Sequence, residues 1–317
     1  MENLINIVAI NHGWFFEDVK KHFCRISRPG LKIIASEKAL KNADVWIYLR
    51  TREASNSPDK KRTIVHIHDM YDDGYYQVNG ERRVVAQCAG IVFTHPEQLK
   101  ILERNGIDID NKMIINRPIG YLQTFKLRSV LPDRFTIAWV GRPVKHKGIE
   151  IKRVGWLVEA VKQFHQSVND CKVAFIGERL ELYSNQISRM GINCDYYHRS
   201  QYNIAKYPAL YQNFDCVVIC SSKEAGPISL FEALATGIPV ISTPIGWAPA
   251  LIRDGKNGYL VNSVTEIYEA LMKIYQNRKA LYERRNEIRS VIEKYTMESW
   301  IEDNINLTLH LTEIKSK

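Results

Sequence analysis

Short runs of aliphatic and β-branched residues alternate with amphipathic stretches along the first third of the chain. "INIVAI" (5–10) predicts a strand, "FEDVKKHFCRI" a helix and "LKIIAS" a second strand. "ADVWIYL" and "RTIVHIH" predict further strands, followed by a polar, tyrosine-rich loop, "DMYDDGYYQVNGE". "AGIVFTH" reads as a strand, "PEQLKILERNG" as a helix opened by Pro96 and closed by Gly106, and "KMIINRP" as the strand that ends the unit. Apolar strands separated by helices argue a parallel sheet covered on both faces.

Residues 121–134, "YLQTFKLRSVLPDR", break the alternation and read as a linker. It then restarts: "FTIAWVG" as a strand, "GIEIKRVGWLVEAVKQFHQ" as a helix, "CKVAFIG" as a strand, a helix near 180–190, and "CDYYH" as a strand. A helix near 202–213 leads to "DCVVIC", a buried strand, and to "KEAGPISLFEALATGIPVIS" (223–242), which reads as loop, helix, loop and strand. Pro227 suits the first helical position, Gly237 a left-handed cap, and Pro239 forbids continuation. The remainder, 264–292 and "MESWIEDNINLTLHLTEI", is helical. The pattern predicts two doubly wound α/β domains, 1–125 and 126–293. A C-terminal helical segment, 294–317, is expected to pack back toward the first domain. A ligand cleft is expected between the two, at the carboxyl ends of the strands.

At 317 residues, 45% hydrophobic and 25% charged, the composition suits two soluble globular domains. No apolar run approaches the roughly 20 residues a spanning helix needs, and "MENLINIVAINHG" lacks a basic secretory n-region. A cytoplasmic protein is expected. Six scattered cysteines with no CxxC pair predict reduced, mostly buried thiols. The net charge of +9 suits an anionic small substrate, an anionic membrane face or nucleic acid. Zinc-finger spacings, RRM aromatics and basic-zipper heptads are absent from the sequence, so charge alone does not choose among these partners.

The second half carries the candidate chemistry. "VGRPVKHKG" (140–148) follows a strand and opens a helix, placing Gly141, Arg142 and Lys147 at the mouth of the sheet. Two cations beside a helix N-terminus suit a diphosphate, although spacing alone fits a solvated basic loop equally. Past Gly226 and Pro227, the N–H groups of Ile228, Ser229 and Leu230 offer a second N-terminus to phosphate oxygens. Glu232, inside that helix, could take two adjacent ribose hydroxyls, and Glu224, before it, those of a sugar ring. Two glutamates eight apart are by themselves more often surface residues.

These segments resemble family-four retaining glycosyltransferases. "EAGPISLFEALATGIPVIST" is similar to the family's E-x7-E signature and "VGRPVKHKG" to its phosphate loop. "FDCVVICSS" resembles the strand before the signature and "DGKNGYLV" the family's D-G-x-N-G-x-L-V turn, all in family order over 135–262. The resemblance implies a GT-B fold, two doubly wound Rossmann-like domains facing a central cleft, and a nucleoside-diphosphate sugar as donor. It implies Arg142 and Lys147 on the diphosphate, Glu224 on the transferred sugar and Glu232 on the ribose. "TIVHIHDMY" resembles the family strand ending in a histidine, which implies His68 near the reacting centre. The rival reading of His68 is a strand-end histidine with a structural hydrogen bond. Of the family's N-terminal glycine-rich loop only Gly13 is present, and the turn "GG-x-P-E" is here "GWAPA", with Trp247 and Ala250 in place of Gly and Glu.

The expected reaction is retaining transfer of a hexose-type sugar to the hydroxyl of a saccharide or lipid-linked glycan, with no cofactor and no metal. His66, His68 and Asp69 make a weak metal pattern, and "DID" (Asp108 to Asp110) spells a metal motif in a loop. A GT-B epimerase is one rival. A nucleic-acid-binding protein or DNA-base glycosyltransferase using the basic surface is another, and peripheral contact with an anionic membrane at its inner face is carried as a secondary partner.

Overall fold

A computed structural model describes residues 2–10, 14–68, 78–110, 112–118, 122–146, 148–198, 206–224 and 226–315. The chain divides into two compact units, Met1–Ile119 with Met297–Lys317, and Gly120–Thr296. Each has its own six-stranded sheet.

In unit 1 the elements are β1 (Asn3–Val8), α1 (Trp14–Cys24), β2 (Leu31–Ser36), β3 (Val45–Tyr48), β4 (Thr63–Ile67), α2 (Val78–Gln87), β5 (Gly90–Phe93), α3 (Pro96–Arg104) and β6 (Met113–Asn116). Their order in the sheet is β2-β1-β3-β4-β5-β6, every pair parallel, with Ile5 opposite both Ile33 and Val45. All residues of β3, β4 and β5 are buried, as a sheet covered on both faces requires. The helix opened by Pro96 is sealed by a capping box: His95 accepts from the Glu97 N–H at 3.2 Å while Gln98 accepts from the His95 N–H at 2.9 Å. The polar stretch read as loop up to Glu81 instead starts α2 at Val78; Gly80 inside it hides the helix from propensity.

Unit 2 contains β7 (Phe135–Gly141), β8 (Lys145–His146), β9 (Ile149–Glu150), α4 (Val154–Ser167), β10 (Cys171–Gly177), α5 (Glu181–Arg189), β11 (Asn193–His198), α6 (Tyr207–Leu210), β12 (Cys216–Ile219), α7 (Ile228–Thr236), β13 (Val240–Ser242), α8 (Ala248–Leu251), β14 (Gly258–Leu260), α9 (Val264–Gln276), α10 (Arg278–Glu283) and α11 (Arg285–Ser290). The helix α12 (Met297–Lys315) belongs to unit 1. The unit 2 sheet runs β11-β10-β7-β12-β13-β14, all parallel: the 3-2-1-4-5-6 order whose reversal falls between β7 and β12. The helix read from Gly148 begins six residues later, because Ile149–Glu150 pair antiparallel with Lys145–His146 as β8–β9 instead.

The linker 122–134 is tied into unit 2. Arg289 donates to the carbonyls of Leu122 and Phe125 at 2.8 Å each, and the Arg128 N–H to that of Thr236 at 2.9 Å. Arg128 itself is buried and donates to the Phe214 carbonyl at 2.9 Å. Asp215, buried at the foot of β12, accepts from Arg278 at 2.8 Å and from the Thr136 N–H at 2.9 Å. Buried charges in this network are paired, as the cost of desolvation demands. Burial holds the Asp215 carboxyl above its ordinary range and lowers the Arg128 guanidinium to about 10.

Candidate active site

In unit 2 the strand order places the carboxyl ends of β7 and β12 side by side, where such sheets take their ligands. Gly141 ends β7 at φ 151°, and Gly177 ends the neighbouring β10 at φ 149°. A Cβ on Gly177 would lie 1.7 Å from the Gly141 carbonyl oxygen, so the two strand ends can approach only as glycine. Arg142 leaves this point with its side chain exposed. Lys147 lies outside the described residues.

The chain after β9 is stitched to the chain after β12. The Ser222 N–H donates to the Ile151 carbonyl at 2.7 Å, and the Cys220 thiol to the Arg153 carbonyl at 3.0 Å. Burial pushes that thiol up to about 12, so it stays protonated and donating. Arg153 is left-handed, φ 46° and ψ 42°, a conformation that costs an ordinary residue about 1–2 kcal/mol. Its guanidinium stacks over Trp156 at 4.5 Å, and Glu150 caps the following helix by accepting from the Val154 N–H at 3.0 Å.

This turn delivers Lys152 to Glu224. The Lys152 ammonium pairs with Glu224 Oε1, and Ser221 Oγ donates to the same oxygen at 2.9 Å. Beyond Gly226, Pro227 stands extended (φ −65°, ψ 110°) at the cap of α7, one residue earlier than the first helical position. Its carbonyl takes the Leu230 N–H at 3.0 Å, so that donor is engaged within the turn rather than open to a ligand. Ile228 and Ser229 begin the helix with no side-chain cap. At the far end Gly237 is left-handed (φ 76°), and the Gly237 and Ile238 N–H groups bond Leu234 at 3.0 Å and Ala233 at 2.9 Å.

Every residue of α7 from Leu230 to Thr236 is buried, including Glu232. Glu232 Oε2 accepts from the Tyr207 hydroxyl at 2.8 Å and from the Tyr211 hydroxyl. Phe125 packs edge-on against both rings, at 5.8 and 5.1 Å. Burial, then the Glu232 charge, raises the Tyr211 hydroxyl well above its ordinary range. Lys152, Ser221, Tyr207 and Tyr211 escaped the sequence reading. Only the tyrosines carry a local signal, a Tyr-x-x-x-Tyr spacing that puts both on one helical face.

In unit 1, His66 on β4 is buried, its Nε2 2.9 Å from Asn304 Oδ1 and its ring edge-on to Trp300 of α12. Burial, then His68, lowers its imidazole well below the ordinary value. His68, just past β4, packs edge-on against Phe16 at 5.4 Å and bonds the Leu49 backbone. Burial and the nearby Arg50 lower it to about 4. Gly13 and Asp69 lie outside the described residues. Among those described, no three His, Cys, Asp or Glu side chains cluster to hold a metal. Asp108 forms a local turn, accepting from the Asp110 N–H at 3.0 Å beside a cavity of about 640 Å³ that Arg82, Arg83 and Lys112 also line. The cysteines are free thiols, four of them buried.

Residues 125–294, more than half of the chain, match the family of glycosyl transferases group 1. The chain belongs to that family. Two curated relatives of this group 1 glycosyltransferase are the spore coat protein SA of Bacillus subtilis, 30% identical over 50% of the chain, and the poly(ribitol-phosphate) alpha-N-acetylglucosaminyltransferase of Staphylococcus aureus, 24% identical over 78%. The chain spans 40% and 50% of the length of those two relatives. Anabaena HepE, solved with UDP and glucose, aligns over 100% of both chains with TM-score 0.71 at 12% identity. S. aureus TarM aligns over 86% of this chain and 55% of its own, with TM-score 0.67 at 20% identity. The two parallel six-stranded sheets are those of the GT-B fold. No helix among the described residues is long and apolar enough to cross a membrane.

Proposed function

We propose that this glycosyltransferase is a family-four enzyme that moves a sugar from a nucleoside-diphosphate sugar to an acceptor hydroxyl with retention of anomeric configuration. The observation that carries the reading is the convergence, at the β7/β12 switch of unit 2, of exposed Arg142, Glu224 and the start of the buried helix holding Glu232. In this reading Arg142 and Lys147 meet the diphosphate, Gly141 and Gly226 let the backbone approach it, and Pro227, Ile228 and Ser229 set the helix that faces it. Glu224 takes the transferred sugar, Glu232 the ribose, and His68 a position near the reacting centre. HepE and GtfA of Streptococcus pneumoniae, both solved with UDP, lend support.

The bond between the anomeric carbon and the diphosphate breaks, and the acceptor oxygen bonds that carbon on the same face. The leaving phosphate oxygen takes the acceptor proton. Fixed cations stabilise the charge that develops on the diphosphate, so neither a metal nor another cofactor is required. Relatives named for poly(ribitol-phosphate) and for monoglucosyldiacylglycerol favour a saccharide or lipid-linked acceptor over nucleic acid. A cytoplasmic protein, with a peripheral contact at the inner membrane face, fits that acceptor.

Calorimetry with UDP and transfer assays from UDP-N-acetylglucosamine and UDP-glucose test the reading. Glu232→Gln should weaken UDP itself, whereas Glu224→Gln should spare UDP and lower transfer. The product should keep the donor configuration by NMR, in excess EDTA as well as without it. An inverted product, or activity lost to EDTA and restored by Mn²⁺, overturns the mechanism.

A further inference from the structure

The geometry points to Lys152 as a positioning residue for the transferred sugar, acting by clamping Glu224 through one oxygen so that the other faces the donor. It rests on the reading of Glu224 as the sugar-binding acid. Both donors that reach Glu224, the Lys152 ammonium and the Ser221 hydroxyl, converge on Oε1. Among the described residues nothing donates to Oε2. A carboxylate held this way cannot rotate freely, and it presents one fixed acceptor of fixed charge to a ligand hydroxyl.

The clamp is built rather than incidental. Its two donors, Lys152 and Ser221, come from separate segments, 151–153 and 220–222, joined by Ser222 N–H and Ser222 Oγ to the Ile151 carbonyl (2.7 and 3.2 Å) and by the Cys220 thiol to the Arg153 and Lys152 carbonyls (3.0 and 3.5 Å). The left-handed Arg153 sits next to Lys152, where the chain reverses into α4, and backbone strain persists only where surrounding contacts over-determine it. The pair is shielded, with side-chain exposures of 24% for Lys152 and 14% for Glu224, so solvent screens it less than a surface pair. The ammonium has further N–H donors beyond the one on Glu224. Because its partner is the sugar-binding acid, Lys152 in this assignment acts at the sugar rather than at the nucleotide.

The test uses the full chain with UDP, UDP-glucose and UDP-N-acetylglucosamine as probes, read by binding and by UDP release. Lys152→Met should lower kcat/KM for the better UDP-sugar by about tenfold to a hundredfold while leaving the Kd for UDP within about threefold. Lys152→Arg should restore part of the loss. In the Glu224→Gln background, Lys152→Met should add little, because its partner is already disabled. Equal loss for UDP and UDP-sugar, or an undiminished effect in the Glu224→Gln background, overturns the assignment. So does wild-type turnover in Lys152→Met. If Glu224→Gln loses activity and Lys152→Met does not, only this inference falls. If wild type binds neither UDP-sugar better than Glu224→Gln does, the reading of Glu224 falls and takes the clamp with it. A thermal-shift control identifies a variant that merely unfolds.

Discussion

Tyr211 and Glu232 are both buried, and the tyrosine hydroxyl donates directly to the carboxylate. A carboxylate buried in a helix needs such donors in place of its water. Tyr211→Phe should therefore destabilise unit 2 by about 1.5–3 kcal/mol, the range for a hydrogen bond to a charged group. Denaturant unfolding measures it. Tyr207→Phe should cost less, because that side chain is only partly buried and water can take the vacated position.

Arg142 is exposed, so its loss should barely touch stability. Arg142→Ala should leave the melting temperature within about 1 °C and lower transfer about tenfold to a hundredfold. Wild-type turnover in that variant would move the diphosphate elsewhere.

His66 is neutral in the fold, its proton affinity lowered by burial, whereas an unfolded histidine protonates near pH 6.5. Below that pH the unfolded chain binds more protons than the native one, so stability falls as pH falls. His68 adds the same sign over a window from about 6.5 to its folded value of about 4. In His66→Gln the slope of unfolding free energy between pH 6 and pH 5 should be shallower by up to about 1.4 kcal/mol per unit, one proton fewer. An unchanged slope would mean His66 is protonated in the fold.

Gly177→Ala should destabilise unit 2 by about 3 kcal/mol or more, since its Cβ would meet the Gly141 carbonyl oxygen at 1.7 Å. Gly191, also at positive φ (78°) but with nothing within 4 Å of a Cβ, is the control: alanine there should cost only about 1–2 kcal/mol.

The fold was legible because the central strands of both parallel sheets are buried and so read as apolar runs. "LKIIAS", "FTIAWVG" and "CKVAFIG" coincide with β2, β7 and β10 to the residue. α7 was legible from its punctuation, Pro227 before it and Gly237 after it. Helix α2 was not, since its first turn lies in the polar run after the tyrosines and carries Gly80. The late start of α4 was hidden because the left-handed turn at Arg153 uses a residue type that gives no hint of it. The clamp on Glu224 joins residues 72 positions apart, and Lys152 within a run read as helix looks like any solvated lysine. Local rules reach the elements; contacts that depend on the sheet order do not show in the string.

Unit 1 is discontinuous: α12, which supplies Trp300 and Asn304 against His66, follows the whole of unit 2. On the ribosome, residues 1–119 emerge before unit 2 yet lack the helix that packs on α1, β3 and β6. Unit 2 is contiguous and can close while the place of α12 beside His66 is still open. The order of folding would then run opposite to the order of synthesis, and through that interval the half-finished sheet is the surface a chaperone would need to shield.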